Sequence, residues 1–251
     1  MVTVKNPSGE VRRICDELKR YLVGNKLHAA VLGISGGIDS TLVAMLLNRV
    51  SEELKEEKYD FNFYGVSLPT RTTDPNEFWA SQLVGNAFCD HFQVDKGMDN
   101  IAYAVSEWVS MDDDTKIEPL RAGNIKSRLR MIYLYDMAKK HNGLVVGTDN
   151  VSEYLLGFST IGGDALFDYN PIKDLWKSDV FELSRYFLQT YVEKKEYNNA
   201  SAAEVSLLLK PMDGLGISTD DMVQIGARNY YDVDDILQWY ISAGRPDNEE
   251  K

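Results

Sequence analysis

Val31-Leu32-Gly33-Ile34-Ser35-Gly36-Gly37-Ile38-Asp39-Ser40-Thr41-Leu42 is the stretch whose reading decides the fold. An apolar run enters two adjacent glycines and leaves into a helical pattern. Gly36 and Gly37 let the backbone turn sharply and approach an anion with no Cβ in the way. The N–H groups that open the next helix then face that anion, aided by the helix dipole. Ser35, Ser40 and Thr41 add hydroxyl donors. Asp39 would repel a bare phosphate, so its natural partner is a magnesium ion that bridges phosphates. The spacing fits neither the Walker loop GxxxxGK[ST] nor GxGxxG. A plainer reading of the same residues is a glycine turn before a capped helix.

Outward from this loop, residues 28–34 read as a buried strand and 40–54 as a helix with Leu42, Met45, Leu46 and Val50 inward. A helix over 10–23 precedes them, with Val11, Ile14, Leu18, Tyr21 and Leu22 on one side. Downstream come a strand at 61–68 stopped by Pro69, a helix at 75–89 opened by Pro75, and a short strand at 91–94. Helices at 98–108 and 120–141 follow, then a strand at 144–147 and a helix at 175–188. Asp112-Asp113-Asp114 reads as a solvated loop. Beyond Thr190 the pattern weakens, with a helix expected only at 233–241 and a frayed tail from about 244. Strands alternating with helices and ending at glycine turns predict an α/β fold. The expected form is a doubly wound parallel sheet with helices on both faces. One domain over 1–251 is expected, with ligands at the carboxyl ends of the strands.

Composition narrows the function. Hydrophobic residues make up 44% and charged residues 26%, which suits one packed core. No apolar run is long enough to span a membrane, and the first ten residues lack a signal-peptide core, so cytoplasm is the expected location. A net charge of −12 argues against nucleic-acid partners, while a local nucleotide site stays open. Cys15 and Cys89 form no CxxC pair and read as small helical core residues. His28, His91 and His141 have no ligand spacing, so no zinc site is expected.

With those residues in place, the loop resembles the SGGxDS pyrophosphatase loop of the N-type ATP pyrophosphatases, whose fold is the adenine nucleotide alpha hydrolase-like sheet. Distal segments choose among relatives. Gly123-Asn124-Ile125-Lys126-Ser127-Arg128-Leu129-Arg130-Met131 resembles the GNxKxRxRM helix of the ammonia-dependent NAD synthetases. Val146-Gly147-Thr148-Asp149-Asn150-Val151-Ser152-Glu153 resembles their GTxxxxE segment. Gly163-Asp164 and Asp168 follow, and Pro171-Ile172-Lys173-Asp174-Leu175-Trp176-Lys177 resembles their PxxxLxK stretch.

This resemblance implies an ATP-consuming ligase that amidates nicotinic acid adenine dinucleotide (deamido-NAD) with ammonia. It implies Asp39 and Glu153 as magnesium ligands and Asp39, Glu153 and Lys177 as the catalytic group. ATP contacts are implied at Gly33, Ile34, Ser35, Gly36, Gly37, Ile38, Asp39, Ser40, Thr148, Lys177 and Ser201. Dinucleotide contacts are implied at Asn124, Arg128, Asp164 and Asp168. The carboxylate attacks the α-phosphorus of ATP, pyrophosphate departs into the loop, and ammonia displaces AMP from the adenylate. No glutaminase domain is expected, so ammonia comes free or from a separate partner. A homodimer is implied, with Tyr103 and Trp108 as candidate interface aromatics.

Some positions depart from the family. Ser67 stands where relatives carry arginine, and Arg71 is the nearest substitute. Ile161 replaces a lysine, Ala165-Leu166 replace a glycine pair, and a C-terminal His-Lys pair is missing. The alternative these departures raise, Ile161 most of all, is an amide ligase of the same superfamily acting on another carboxylate; a tRNA-modifying relative would share the loop, and a nucleotide sensor is opposed by the retained Asp39, Glu153 and Lys177. The acidic charge and isolated cysteines oppose the tRNA reading.

Overall fold

The computed structural model describes residues 2–110, 118–212 and 220–243. The elements, in chain order, are α1 (Pro7–Gly24), β1 (Ala29–Gly33), α2 (Ile38–Glu56), β2 (Asn62–Ser67), α3 (Pro75–Phe88), β3 (His91–Val94), α4 (Gly97–Val109) and α5 (Pro119–Lys140). They continue with β4 (Gly143–Val145), α6 (Val151–Leu156), α7 (Lys177–Lys194), α8 (Tyr197–Leu208), α9 (Asp221–Ile225) and α10 (Tyr230–Ser242). The expected aspartate loop at 112–114 and the tail from 244 lie outside the described residues.

The four described strands form one parallel sheet in the order β3-β2-β1-β4. β1 and β2 are neighbours, whereas β4 returns to the other side of β1, so winding reverses between β1 and β4. In open α/β sheets such a reversal leaves a crevice beyond the carboxyl ends of the strands. Each strand is too short to carry much pairing by itself, and packing on both faces holds it. Alternate side chains supply that packing, because successive Cβ atoms point to opposite faces. Ala30, Leu32, Phe63 and Leu144 join the larger core with Leu42 and Met45 of α2, Phe88 of α3 and Leu183 of α7. Val31, Val66 and Val145 face the other way, onto Met98 of α4 and Leu134 and Ala138 of α5. Burying a side chain such as Phe63 contributes roughly 1.5–3 kcal/mol.

Local signals account for the helix starts. Asn6 and Asp74 accept from the first-turn N–H groups of α1 and α3, each followed by proline. Cys15 is buried in α1, as expected, whereas Cys89 lies one residue past the end of α3. The helix expected to begin at 175 begins at Lys177, because Leu175 closes a turn onto Ile172. It also runs on to Lys194. The strand expected to reach Gly147 stops at Val145, and Val146 makes a single bridge to Tyr169. The helices α8 and α9 were not expected: α8 buries mainly alanines, and α9 has five residues.

Candidate active site

β1 delivers the glycine loop to the crevice. Ile34 N–H donates to the Val66 carbonyl at 2.8 Å, which extends the β1–β2 pairing one residue into the loop. Gly36 then takes φ +93°, a region glycine adopts freely. A Cβ at Gly36 would stand 2.4 Å from the Glu77 carbonyl oxygen and 2.8 Å from the Ser81 nitrogen of α3. The loop is therefore pressed directly on α3. The Ser35 and Ser40 hydroxyls lie 2.9 Å apart, and Ser35 Oγ accepts from Gly37 N–H at 3.1 Å. Ser40 and Thr41 donate to the Gly37 carbonyl.

At the centre lies Lys177, the first residue of α7, 2% exposed. Its Nζ donates to Asp39 Oδ2 at 2.5 Å and to Glu153 Oε1 at 2.6 Å. Asn150 ties the same acids together. Its amide donates to Asp39 Oδ1 at 2.9 Å, and its carbonyl oxygen caps α6 by accepting Glu153 N–H. Burial opposes the charge on Lys177, but Asp39 and then Glu153 outweigh it and hold the ammonium well above its usual range. Burial, reinforced by Asp39, pushes Glu153 upward, with Lys177 pulling the other way. Burial and the like charges of Asp164 and Asp39 bring Asp149 up to about 7.

These groups line one cavity of about 340 Å³, walled by the loop, Ser67, Asn124, Arg130, Thr148, Asp149, Glu153, Asp164, Lys177, Lys210 and Asp221. Among the described residues no group of three His, Cys, Asp or Glu forms a metal cluster. Asp39 and Glu153 nonetheless converge on one cation, the Lys177 ammonium. Two hard carboxylates, with the other positions left to phosphate and water, suit magnesium.

The sequence-assigned residues divide. Gly33, Ile34, Ser35, Gly37, Ile38, Asp39, Ser40, Thr148, Glu153 and Lys177 line the cavity, as do Asn124 and Asp164. Gly36 is the loop residue turned onto α3 instead. Asn124 accepts from the Thr160 hydroxyl, Ser127 bonds Asp164, and Arg128 donates to the Ile161 carbonyl at 3.2 Å. So Asn124 and Arg128 do share a face of α5, and together they staple the 158–164 loop. Arg128 lies outside the cavity wall. Asp168 also lies outside it, accepting from Val145 N–H at 2.8 Å and Tyr135 OH at 3.4 Å.

Ser201 and Arg71 also lie outside the cavity wall. Ser201 is exposed, because α8 turns Ala200, Ala202 and Ala203 inward and leaves it outside. Arg71 is drawn away by Asp99 and lies over the Tyr103 ring, so it does not replace the arginine missing at Ser67. Ser67 instead shares a hydrogen bond with Ser81. Ile161 is 86% exposed. Sequence reasoning assigned no role to Asn150, Asp149, Arg130 or Lys210. An N-cap asparagine three residues before Glu153 was the available signal for Asn150.

The family model described as NAD synthase matches residues 10–251. An NH(3)-dependent NAD(+) synthetase of Thermoplasma volcanium is 33% identical over 94% of this chain and 85% of its own length. The crystal structure of an NAD+ synthetase from Burkholderia pseudomallei superposes with TM-score 0.73 and 28% identity, covering 94% of this chain and 82% of that one. An NMN synthetase from Francisella tularensis superposes with TM-score 0.77 and 25% identity, covering 94% and 87%.

Proposed function

Because the chain belongs to the NAD synthase family, we propose that its cavity joins ammonia to the carboxylate of deamido-NAD at the expense of ATP. The protein is a carbon–nitrogen ligase. The observation that carries the reading is Lys177 held between Asp39 and Glu153 beside the glycine loop. A carboxylate expels oxide poorly, so it must first be activated. The carboxylate oxygen attacks the α-phosphorus of ATP, and pyrophosphate leaves towards the loop. Loop N–H groups at the start of α2 and the Lys177 ammonium meet the charge that moves onto it. Ammonia then adds to the acyl carbon, and AMP departs with the electron pair of the broken C–O bond. Asp149, with its carboxyl raised to about 7, is suited by position and affinity to take the proton ammonia loses. Asp39 and Glu153 would hold magnesium, which when bound supplies Lewis-acid stabilisation of phosphate charge. No covalent enzyme nucleophile is needed, since holding both substrates together already lowers the barrier.

The cytoplasm suits such a reaction, and no helix of the described residues is long and apolar enough to cross a membrane. A homodimer is part of the proposal. Ile101, Tyr103 and Trp108 of α4 are all more than half exposed, and burying them against a second copy would remove apolar surface from water.

The test is incubation with Mg-ATP, ammonium and either deamido-NAD or nicotinate mononucleotide, following AMP, pyrophosphate and amide product by mass spectrometry. NAD and AMP should appear in equal amounts and vanish in Asp39→Ala. Amidation of the mononucleotide alone would sink the dinucleotide assignment and leave the adenylation chemistry standing. Absence of AMP with both would sink the ligase reading.

A further inference from the structure

The last described helix, α10, contributes nothing to the cavity wall, yet it reaches the site from behind. Asp234 is fully buried. Its Oδ1 accepts the Ser152 hydroxyl at 2.5 Å and its Oδ2 accepts Ser178 N–H at 2.7 Å. Ser152 Oγ in turn accepts Lys177 N–H at 2.9 Å. One carboxylate thus satisfies the first two N–H groups of α7, directly or through a single hydroxyl. Those groups have no partner within the helix itself, and a negative charge there is favoured by the dipole. Ser152 also adjoins Glu153. The same carboxylate therefore holds the Ser178 backbone beside the lysine and the Ser152 side chain beside the acid the lysine bonds. One turn earlier on α10, the Tyr230 ring lies 5.2 Å from Lys177 Nζ, and its hydroxyl donates to Asp221 on the cavity wall.

If α10 needed only to dock, an apolar side chain would serve as well, because a buried carboxylate carries a desolvation cost that packing alone avoids. What the carboxylate adds is a fixed position for its partners. We propose that Asp234 is a positioning residue for the ligase reaction: through Ser152 and Ser178 it sets where the Lys177 ammonium stands relative to Asp39 and Glu153. The catalytic consequence rests on the function proposed above, while the placement of Lys177 does not.

The experiment compares Asp234→Asn, Ser152→Ala and Val233→Ala in the full chain. Asparagine keeps the shape but turns one acceptor into a donor. Val233 is buried on the same helix, and its truncation is the control for loss of stability alone. Two readouts are taken: the rate of reductive methylation at Lys177, mapped by peptide mass spectrometry without substrates, and kcat and KM for pyrophosphate release. Lys177 should resist labelling in the wild type and in Val233→Ala. In Asp234→Asn it should label roughly tenfold faster or more, with kcat falling by a similar factor. KM for the acyl substrate should stay within about twofold. Ser152→Ala should fall between, and carries the test if Asp234→Asn does not fold. Labelling and kcat in both variants no different from Val233→Ala, at equal loss of Tm, would overturn the proposal. A wild type that releases no pyrophosphate refutes the ligase reading alone, since the labelling comparison still decides the placement of Lys177.

Discussion

Gly36→Ala is the sharpest perturbation the fold offers. The backbone there has φ +93°, and an added Cβ would meet the Glu77 carbonyl oxygen at 2.4 Å, the Ser81 nitrogen at 2.8 Å and the Ala80 Cβ at 3.1 Å. Two of the three are backbone atoms, which no rotamer change can move. The left-handed conformation costs an alanine about 1–2 kcal/mol, and forcing a methyl into a filled space about 1–3 kcal/mol more. A loss of roughly 2–5 kcal/mol lowers Tm by about 5–15 °C for a chain of this size. Gly37→Ala is the internal control. Its Cβ would meet only the Ser35 side-chain oxygen, at 3.3 Å, so it should lose far less stability. Thermal unfolding by circular dichroism measures both. In the ligase assay Gly36→Ala should also weaken ATP use, because relieving the contact pushes the loop away from α3. Equal Tm values for Gly36→Ala and Gly37→Ala would refute the claim that the loop is pressed on α3.

Two further predictions follow from the charges. Lys177→Gln leaves Asp39 and Glu153 facing each other with their cation gone. Breaking a buried pair costs about 3–5 kcal/mol, and the residual water contact of both acids brings this to roughly 2–4 kcal/mol. Turnover should vanish, and magnesium should raise the melting temperature of the variant more than that of the wild type. An unchanged melting temperature without magnesium would count against the ion-pair account. Asp90 is half-buried, which by itself raises its carboxyl. Hydrogen bonds from Lys55, Phe63 N–H and Ser51 outweigh that and hold it below the usual aspartate range. A folded-state affinity lowered in this way stabilises above the unfolded value and is lost as pH falls through the folded one. Wild type should therefore be more stable than Asp90→Asn at neutral pH, and the gap measured by urea unfolding should close below about pH 4. A gap independent of pH would exclude the linkage.

The sheet was legible because its signals are local. Apolar runs ending in glycine, and helices opened by Asp74-Pro75 or closed before a glycine turn, need no knowledge of distant partners. The same holds for the glycine loop, whose residues act through their own backbone. Asp39 was legible from the loop itself, but its meeting with Lys177 and Glu153 only through resemblance, since nothing near Lys177 in sequence says that it will be buried between acids upstream. Ser201 and Arg71 were misplaced for the opposite reason. Each has a suitable side chain, but helix rotation in one case and the competing Asp99 in the other decide where it points. α8 was missed because a run of alanines and asparagines carries little hydrophobic periodicity, and it becomes helical by packing on α3 and α7. Asp234 could not have been found at all, because an aspartate in an acidic helix looks solvated until Ser152 and Ser178 meet it.

The ligands of this site are also spread along the direction of synthesis. Lys177 leaves the ribosome 138 residues after Asp39, and Asp234 is separated from Ser152 by 82. A nascent chain therefore displays its glycine loop, Asp39 included, long before Glu153 and Lys177. Only the arrival of α10 locks the start of α7 beside α6. On that order of synthesis, a chain still short of Lys177 holds the loop without the cation that Asp39 and Glu153 share.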